Sequence, residues 1–167
     1  MDPSLTRLQI FTPLSLLLCI ASLFACSTIA EPSIFSIAHL HPTSLTPSVR
    51  VVEAYIGLVW AGEIAYCVGL STVLGGREET KKAASKGVGL WLVFANILLA
   101  LWAIAWTTQY FFVATLLQSI LLLVLLFSNI SLIIYHRTHP LNTLLIHPPL
   151  RFFLLLPLHF LLPVSLL

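Results

Sequence analysis

The sequence predicts an all-α fold, a polytopic membrane helix bundle of about five transmembrane helices forming one domain over residues 1–167. Three observations carry that prediction. Of the 167 residues, 59% are hydrophobic and 8% charged, and the mean hydropathy is +1.02, whereas soluble domains carry roughly one quarter charged residues. Several apolar runs approach the ~20 residues that a helix needs to cross a bilayer core of ~30 Å. Finally, threading those runs through a bilayer collects almost all the basic residues on one side.

The first run, LQIFTPLSLLLCIASLFACSTIA, covers about residues 8–30. Small residues Thr28 and Ala30 before Glu31 would suit a cleaved signal peptide. The run, however, exceeds the usual ~7–15 residues of such a segment, so an uncleaved helix is expected. Residues 31–50, EPSIFSIAHLHPTSLTPSVR, are rich in Pro, Ser and Thr and read as a loop. The second run spans about 51–74 and ends at Gly75-Gly76, where GGREETKKAASKG holds six of the fourteen charged residues and reads as a solvated connection. The third (88–108) and fourth (112–134) runs are joined by a short turn near Gln109. A proline-broken stretch, HRTHPLNTLLIHPP, leads to a last run over 150–167, which at 1.5 Å per residue reaches about 27 Å and barely spans. The apolar ending LPVSLL fits either a fragment or a naturally short end.

With all five runs crossing, Arg7, Arg77, Lys81, Lys82, Lys86, Arg137 and Arg151 share one side and Arg50 alone lies on the other. This bias places the N-terminus in the cytosol. Membrane lipids are then the expected surroundings, and no nucleic-acid partner is expected of so sparsely charged a chain. Cys19, Cys26 and Cys67 lie inside apolar runs and act as small apolar side chains, not as a disulfide framework.

The most informative residue is Glu63, within GLVWAGEIAYCVG. A charge at mid-membrane costs at least about 2.5–3.5 kcal/mol, which favours the neutral, protonated acid acting as a hydrogen-bond donor. Trp60, Tyr66 and Cys67 flank it at helical spacing. Two readings follow: a structural acid tied to a neighbouring helix, or a proton or cation site. Asn96, about 12 Å deep in the third run against about 16 Å for Glu63, is close enough in depth to pair with it. Asn96 shares a face with Ala100, Ala103 and Thr107, while Trp91, Trp102, Trp106 and Tyr110 share another. In the fourth run Thr115, Gln118, Ser119 and Asn129 form a polar stripe expected to face the bundle, because lipid offers no partners. Gly57, Ala61, Ala65 and Gly69 recur every four residues and make a smooth face that suits close helix approach, a candidate surface for homo-oligomers. Trp91 at one boundary, and Trp106 with Tyr110 at the other, fit aromatic belts.

Leu132, Tyr135 and Arg137 satisfy the loose pattern proposed for cholesterol contact. His39 and His41 fall on one side and His136, His139 and His147 on the other, so no shared metal site is expected, and no cofactor either. No HExxH, GxSxG, GxGxxG or phosphate-loop pattern occurs, and the carboxylates do not pair for acid and base work. Catalysis is therefore not expected.

FANILLALWAIAW (94–106) and HPPLRFFLLLPLHFLLP (147–163), with Asn96, Trp102, Trp106, Pro149 and Arg151 as specific points, resemble a fungal family of small multipass membrane proteins of unknown function. That resemblance implies membrane residence. Five helices, this length and the tryptophans are also similar to the tryptophan-rich sensory (TspO-type) proteins, a likeness that implies binding of tetrapyrroles or sterols. The paired-proline and Trp-rich signature expected early in that family is missing here. Tyr55, Gly62 and Glu63 resemble the central-Glu helix of small multidrug transporters, which implies exchange of protons for cations, although the spacing differs. The function expected is binding of lipid or another apolar small ligand, with a small proton-coupled transporter using Glu63 as the alternative.

Overall fold

A computed structural model of the protein describes residues 3–40, 48–72, 89–135, 151 and 153–158. Helix α1 (Pro3–Thr28) starts well before the apolar pattern does, because Pro is favoured at a first helical position, where its missing N–H costs nothing. Pro13 sits inside α1. In hydrocarbon such a break is tolerated where the freed carbonyl finds another partner; one turn on, buried Ser15 bonds within its own helix, donating to the Thr12 carbonyl at 2.9 Å.

The stretch after α1 is not wholly a loop, as its Pro, Ser and Thr content suggests. Within it lies α2 (Ile34–Leu40). Ser33 Oγ accepts the Ser36 N–H at 3.2 Å, an N-cap, and the one-turn pair Ile34 and Ile37 is buried. IFSIAHL itself contains neither Pro nor Gly, so the loop-like composition belongs to its flanks. Helix α3 (Val49–Thr72) begins with the Val51 and Val52 N–H groups donating to the Ser48 carbonyl. Helices α4 (Gly89–Thr107) and α5 (Phe111–Tyr135) follow.

Between α4 and α5, Tyr110 N–H bonds to the Ala105 carbonyl and Gln109 N–H to that of Trp106, both at 3.0 Å. This is a Schellman ending with Gln109, at φ 61°, in the left-handed position usually given to Gly. Of the last run, residues 151 and 153–158 are helical, with Phe153 and Leu156 buried; its remainder lies outside the described residues. Four described helices contain segments long and apolar enough to cross a membrane, Arg7–Thr28, Arg50–Gly69, Leu90–Thr107 and Phe111–Ser131. The architecture is a polytopic helical bundle.

Helix α4 is its axis. Ser22 donates to the Ala100 carbonyl at 3.0 Å and Thr107 to Cys26 Sγ at 3.7 Å, so α1 runs parallel to α4. Small side chains line this seam, with Cys19, Ala100 and Ala103 almost fully buried, and close backbone approach replaces the hydrophobic drive that lipid cannot supply. Helix α5 runs antiparallel, Trp91 meeting Phe127 at 6.3 Å and Trp106 meeting Phe111 at 5.4 Å between ring centroids. Helix α3 packs against α1. Outward faces are apolar, Leu17 being 67% and Phe112 83% exposed, a surface suited to acyl chains and not to water.

Trp106 departs from the aromatic-belt expectation. It is buried, stacks on Trp102 at 5.9 Å, and its Nε1–H donates to the Ile34 carbonyl at 3.3 Å, so α2 covers it. Trp91 and Tyr110 are exposed, as belt residues would be. The stripe on α3 also differs from a close-contact face within this chain. Gly57, Ala61 and Ala65 are exposed, Gly69 is buried, and a Cβ added at Gly57 would meet nothing within 4 Å.

The two small-residue surfaces should therefore respond differently to bulk. Ala100→Leu is expected to wedge α1 from α4 and cost about 1–3 kcal/mol, lowering the thermal unfolding midpoint in detergent, whereas Gly57→Leu should stay within about 0.5 kcal/mol of the parent.

Candidate functional site

Glu63 enters the bundle on the narrow buried edge of α3, which also carries Val52, Val59 and Tyr66. Its side chain is 1% exposed, as is Asn96 opposite on α4. Asn96 Nδ2 donates to Glu63 Oε2 at 2.9 Å. Of the possible partners that the sequence offers, Asn96, which is close to Glu63 in depth, is the one bonded to it: constant helical rise places both residues near mid-span.

The pair is not saturated. Glu63 Oε1 and Asn96 Oδ1 are buried and have no hydrogen-bond partner among the described residues. Among the described residues, basic side chains lie at the ends of helices, where Arg7, Arg50 and Arg151 are exposed. An ionised Glu63 would thus sit in a low-dielectric interior with no counter-ion among the described residues, a costly state. The arrangement suits a neutral acid, able to donate a proton into a bond as well as accept one. Cys19 is fully buried on α1, the helix against which α3 packs.

The remaining sequence candidates divide. Tyr66, one turn beyond Glu63, is buried, and Trp60 is half-buried. The polar stripe of α5 is rotated from where the sequence places it. Gln118 is fully buried, but Thr115 donates to the Phe111 carbonyl at 2.9 Å, Ser119 to that of Thr115 at 2.9 Å, and Asn129 to that of Leu125 at 2.8 Å. Back-bonding to the preceding turn satisfies these groups without any partner helix. Asn129 is accordingly a half-buried residue occupied by its own helix, apart from the Glu63 pair. Ser128, which sequence reading passed over, is instead fully buried with Oγ unpaired. It follows Ala114, Leu121 and Leu125 at helical spacing, a signal outweighed by the more polar Asn129 beside it. Leu132 and Tyr135 lie on the last turn of α5, while Arg137 lies outside the described residues, as do His41, His136, His139 and His147. Among the described residues no cluster of His, Cys, Asp and Glu could hold a metal ion.

A family model described as TSPO-like protein matches residues 9–155, from the early turns of α1 into the helical stretch after residue 150. No curated protein and no solved structure matches the chain.

The Glu63–Asn96 bond lends itself to a double-mutant cycle in unfolding free energy, using Glu63→Leu, Asn96→Leu and the pair. A coupling of about 0.5–1.7 kcal/mol is expected, the range of interhelical bonds in membranes. Additive single effects would show that the two side chains do not sustain each other.

Proposed function

The chain belongs to the TSPO-like protein family, and we propose that it is a membrane-embedded binding protein for lipid or another apolar small ligand, without catalysis. The observation that carries this reading is the half-satisfied Glu63–Asn96 pair, whose two remaining buried oxygens have no partner among the described residues. Small-molecule sites have this character: mostly apolar lining and a few convergent polar groups that orient the ligand. Family membership supports a ligand-binding or transport-associated membrane role.

A second reading rests on Glu63 itself. A buried acid with no counter-ion among the described residues, on a helix attached by a narrow edge, is also what a proton-coupled carrier requires. In reconstituted vesicles a carrier would dissipate an imposed pH gradient as substrate moves, and Glu63→Gln would abolish that flux. A binding protein would leave the gradient intact while saturating with ligand. We place the N-terminus and the 73–88 connection in the cytosol, on the strength of the basic-residue bias.

For the binding reading, a diazirine-bearing fatty acyl probe should label peptides of α3 and α4 saturably in lipid nanodiscs, and unlabelled lipid should compete. Glu63→Leu should weaken this about tenfold, equivalent to one bond of about 1.4 kcal/mol; labelling that never saturates would rule the reading out. For orientation, Lys82→Cys and His39→Cys should react with a membrane-impermeant maleimide from opposite faces of sealed vesicles, and reaction from one common face would overturn the assignment.

A further inference from the structure

Glu63 and Asn96 each bring two polar atoms to their contact, and one bond joins them, from Asn96 Nδ2–H to Glu63 Oε2 at 2.9 Å. The atoms left over are Glu63 Oε1 and Asn96 Oδ1, both buried and without a partner among the described residues. Each shares its carbon with an atom of the bond already made, so the two flank that bond. The terminal torsions that aim a Glu carboxyl and an Asn amide are broad, and a small rotation turns one toward the other. Written as two acceptors, neither oxygen can serve the other, and both stay desolvated without compensation.

We propose that one proton on Glu63 Oε1 closes this gap by bonding to Asn96 Oδ1, and that it acts as a latch holding α3 to the bundle. The neutral acid and the amide then form a ring of two parallel bonds, O–H donating to Oδ1 and Nδ2–H donating to Oε2. The ring needs no ligand, so the inference stands apart from the binding function proposed above. In that binding reading, a ligand donor would take the place of the acid O–H at Oδ1.

Loss of the proton to solvent leaves Oε1 facing Oδ1, acceptor against acceptor, with the Nδ2–H bond alone remaining. The neighbouring elements do not steady the resulting charge. Helix α4 has no titratable side chain from Gly89 to Thr107. On α1, against which α3 packs, the buried thiols of Cys19 and Cys26 can only add negative charge, and Arg7 is exposed near the start. Helix α3 itself carries Tyr66 and Cys67 one turn beyond Glu63 and Tyr55 two turns before it, with Arg50 and Glu53 exposed near its first turn; Arg151 is exposed as well.

Helix α3 is the element that such a change would release. It meets the bundle along a narrow edge, whereas α1 and α4 share a seam of small residues and the Ser22–Ala100 bond. The proton is bound in the docked state and lost on release, so docking is complete in acid and weakens as pH rises.

The test compares the wild type with Glu63→Gln at equal pH, each as the full chain in phosphatidylcholine nanodiscs. A glutamine carries N–H where the acid carries O–H, so it can make both bonds of the ring, and it cannot ionise. Hydrogen exchange along α3 should be equal in the two proteins in acidic buffer. In alkaline buffer the α3 amides of the wild type should exchange about tenfold faster than those of Glu63→Gln, the effect of one lost bond, while α1 and α4 exchange alike. The side-chain carbonyl resonance of Asn96 in solid-state NMR, identified by its loss in Asn96→Leu, should shift over the same pH interval in the wild type alone. Faster exchange of α3 without that shift shows an acid that never bonded to Oδ1 and overturns the ring. Equal exchange at every pH, or a Glu63→Gln chain that does not fold, overturns the latch. Acyl-probe labelling is read separately in the same nanodiscs: saturable labelling without a latch leaves the binding function standing, and a latch without saturable labelling removes the binding function alone.

Discussion

Everything in this bundle answers to one constraint: hydrocarbon neither rewards burying apolar side chains nor hydrogen-bonds polar ones. The first half of that statement explains α4. With no hydrophobic drive to press helices together, close contact must come from shape, and α4 provides two shapes. Alanines meet the Cys19, Ser22 and Cys26 edge of α1, and tryptophans stack toward α5. The second half explains Asn96. A carboxyl at mid-span in α3 has to meet a donor or acceptor from the protein, and α4 presents one at the same depth.

Much of the fold was legible because helical rise and bilayer thickness are fixed quantities. Run lengths locate four crossing helices within a few residues of their observed ends, and depth counting makes Asn96 a possible partner for Glu63, which the structure shows bonded to it. What was not legible is rotation about each helix axis. A helix apolar all round carries no hydropathy signal for which side meets protein. The stripe on α5 was therefore drawn through its most polar residues, while the buried face runs through Gln118 and Ser128, and Thr115, Ser119 and Asn129 turn to their own backbone. The burial of Trp106, which the sequence places in an aromatic belt, is hidden for a related reason. Its covering element, α2, is seven residues long and sits in a stretch whose average composition reads as loop.

Polar groups in the interior also differ in what they hold together. Ser22, bonded to the Ala100 carbonyl, joins two helices that shape already fits. Glu63 and Asn96 join two helices that shape fits poorly, since α3 exposes Gly57, Ala61, Ile64, Ala65 and Val68 along most of its circumference. Directional bonding matters most where steric fit is least.

That difference bears on how α3 keeps its place. Its neighbours meet a narrow edge of Val52, Val59, Glu63, Tyr66 and Gly69, and smooth apolar edges slide past one another at little cost when lipid replaces each lost contact. A slip of one residue turns an α-helix by about 100° and shifts it 1.5 Å, enough to carry Glu63 off Asn96. The 2.9 Å bond between them therefore fixes both the height and the rotation of α3, a register role of the kind attested for single buried polar residues in coiled coils. Because Glu63 Oε1 and Asn96 Oδ1 have no partner among the described residues, a molecule that supplied a donor there would bind most strongly when α3 is in register. Ligand and fold would then stabilise the same arrangement of the same two helices, since whatever binds one state preferentially shifts the population toward it.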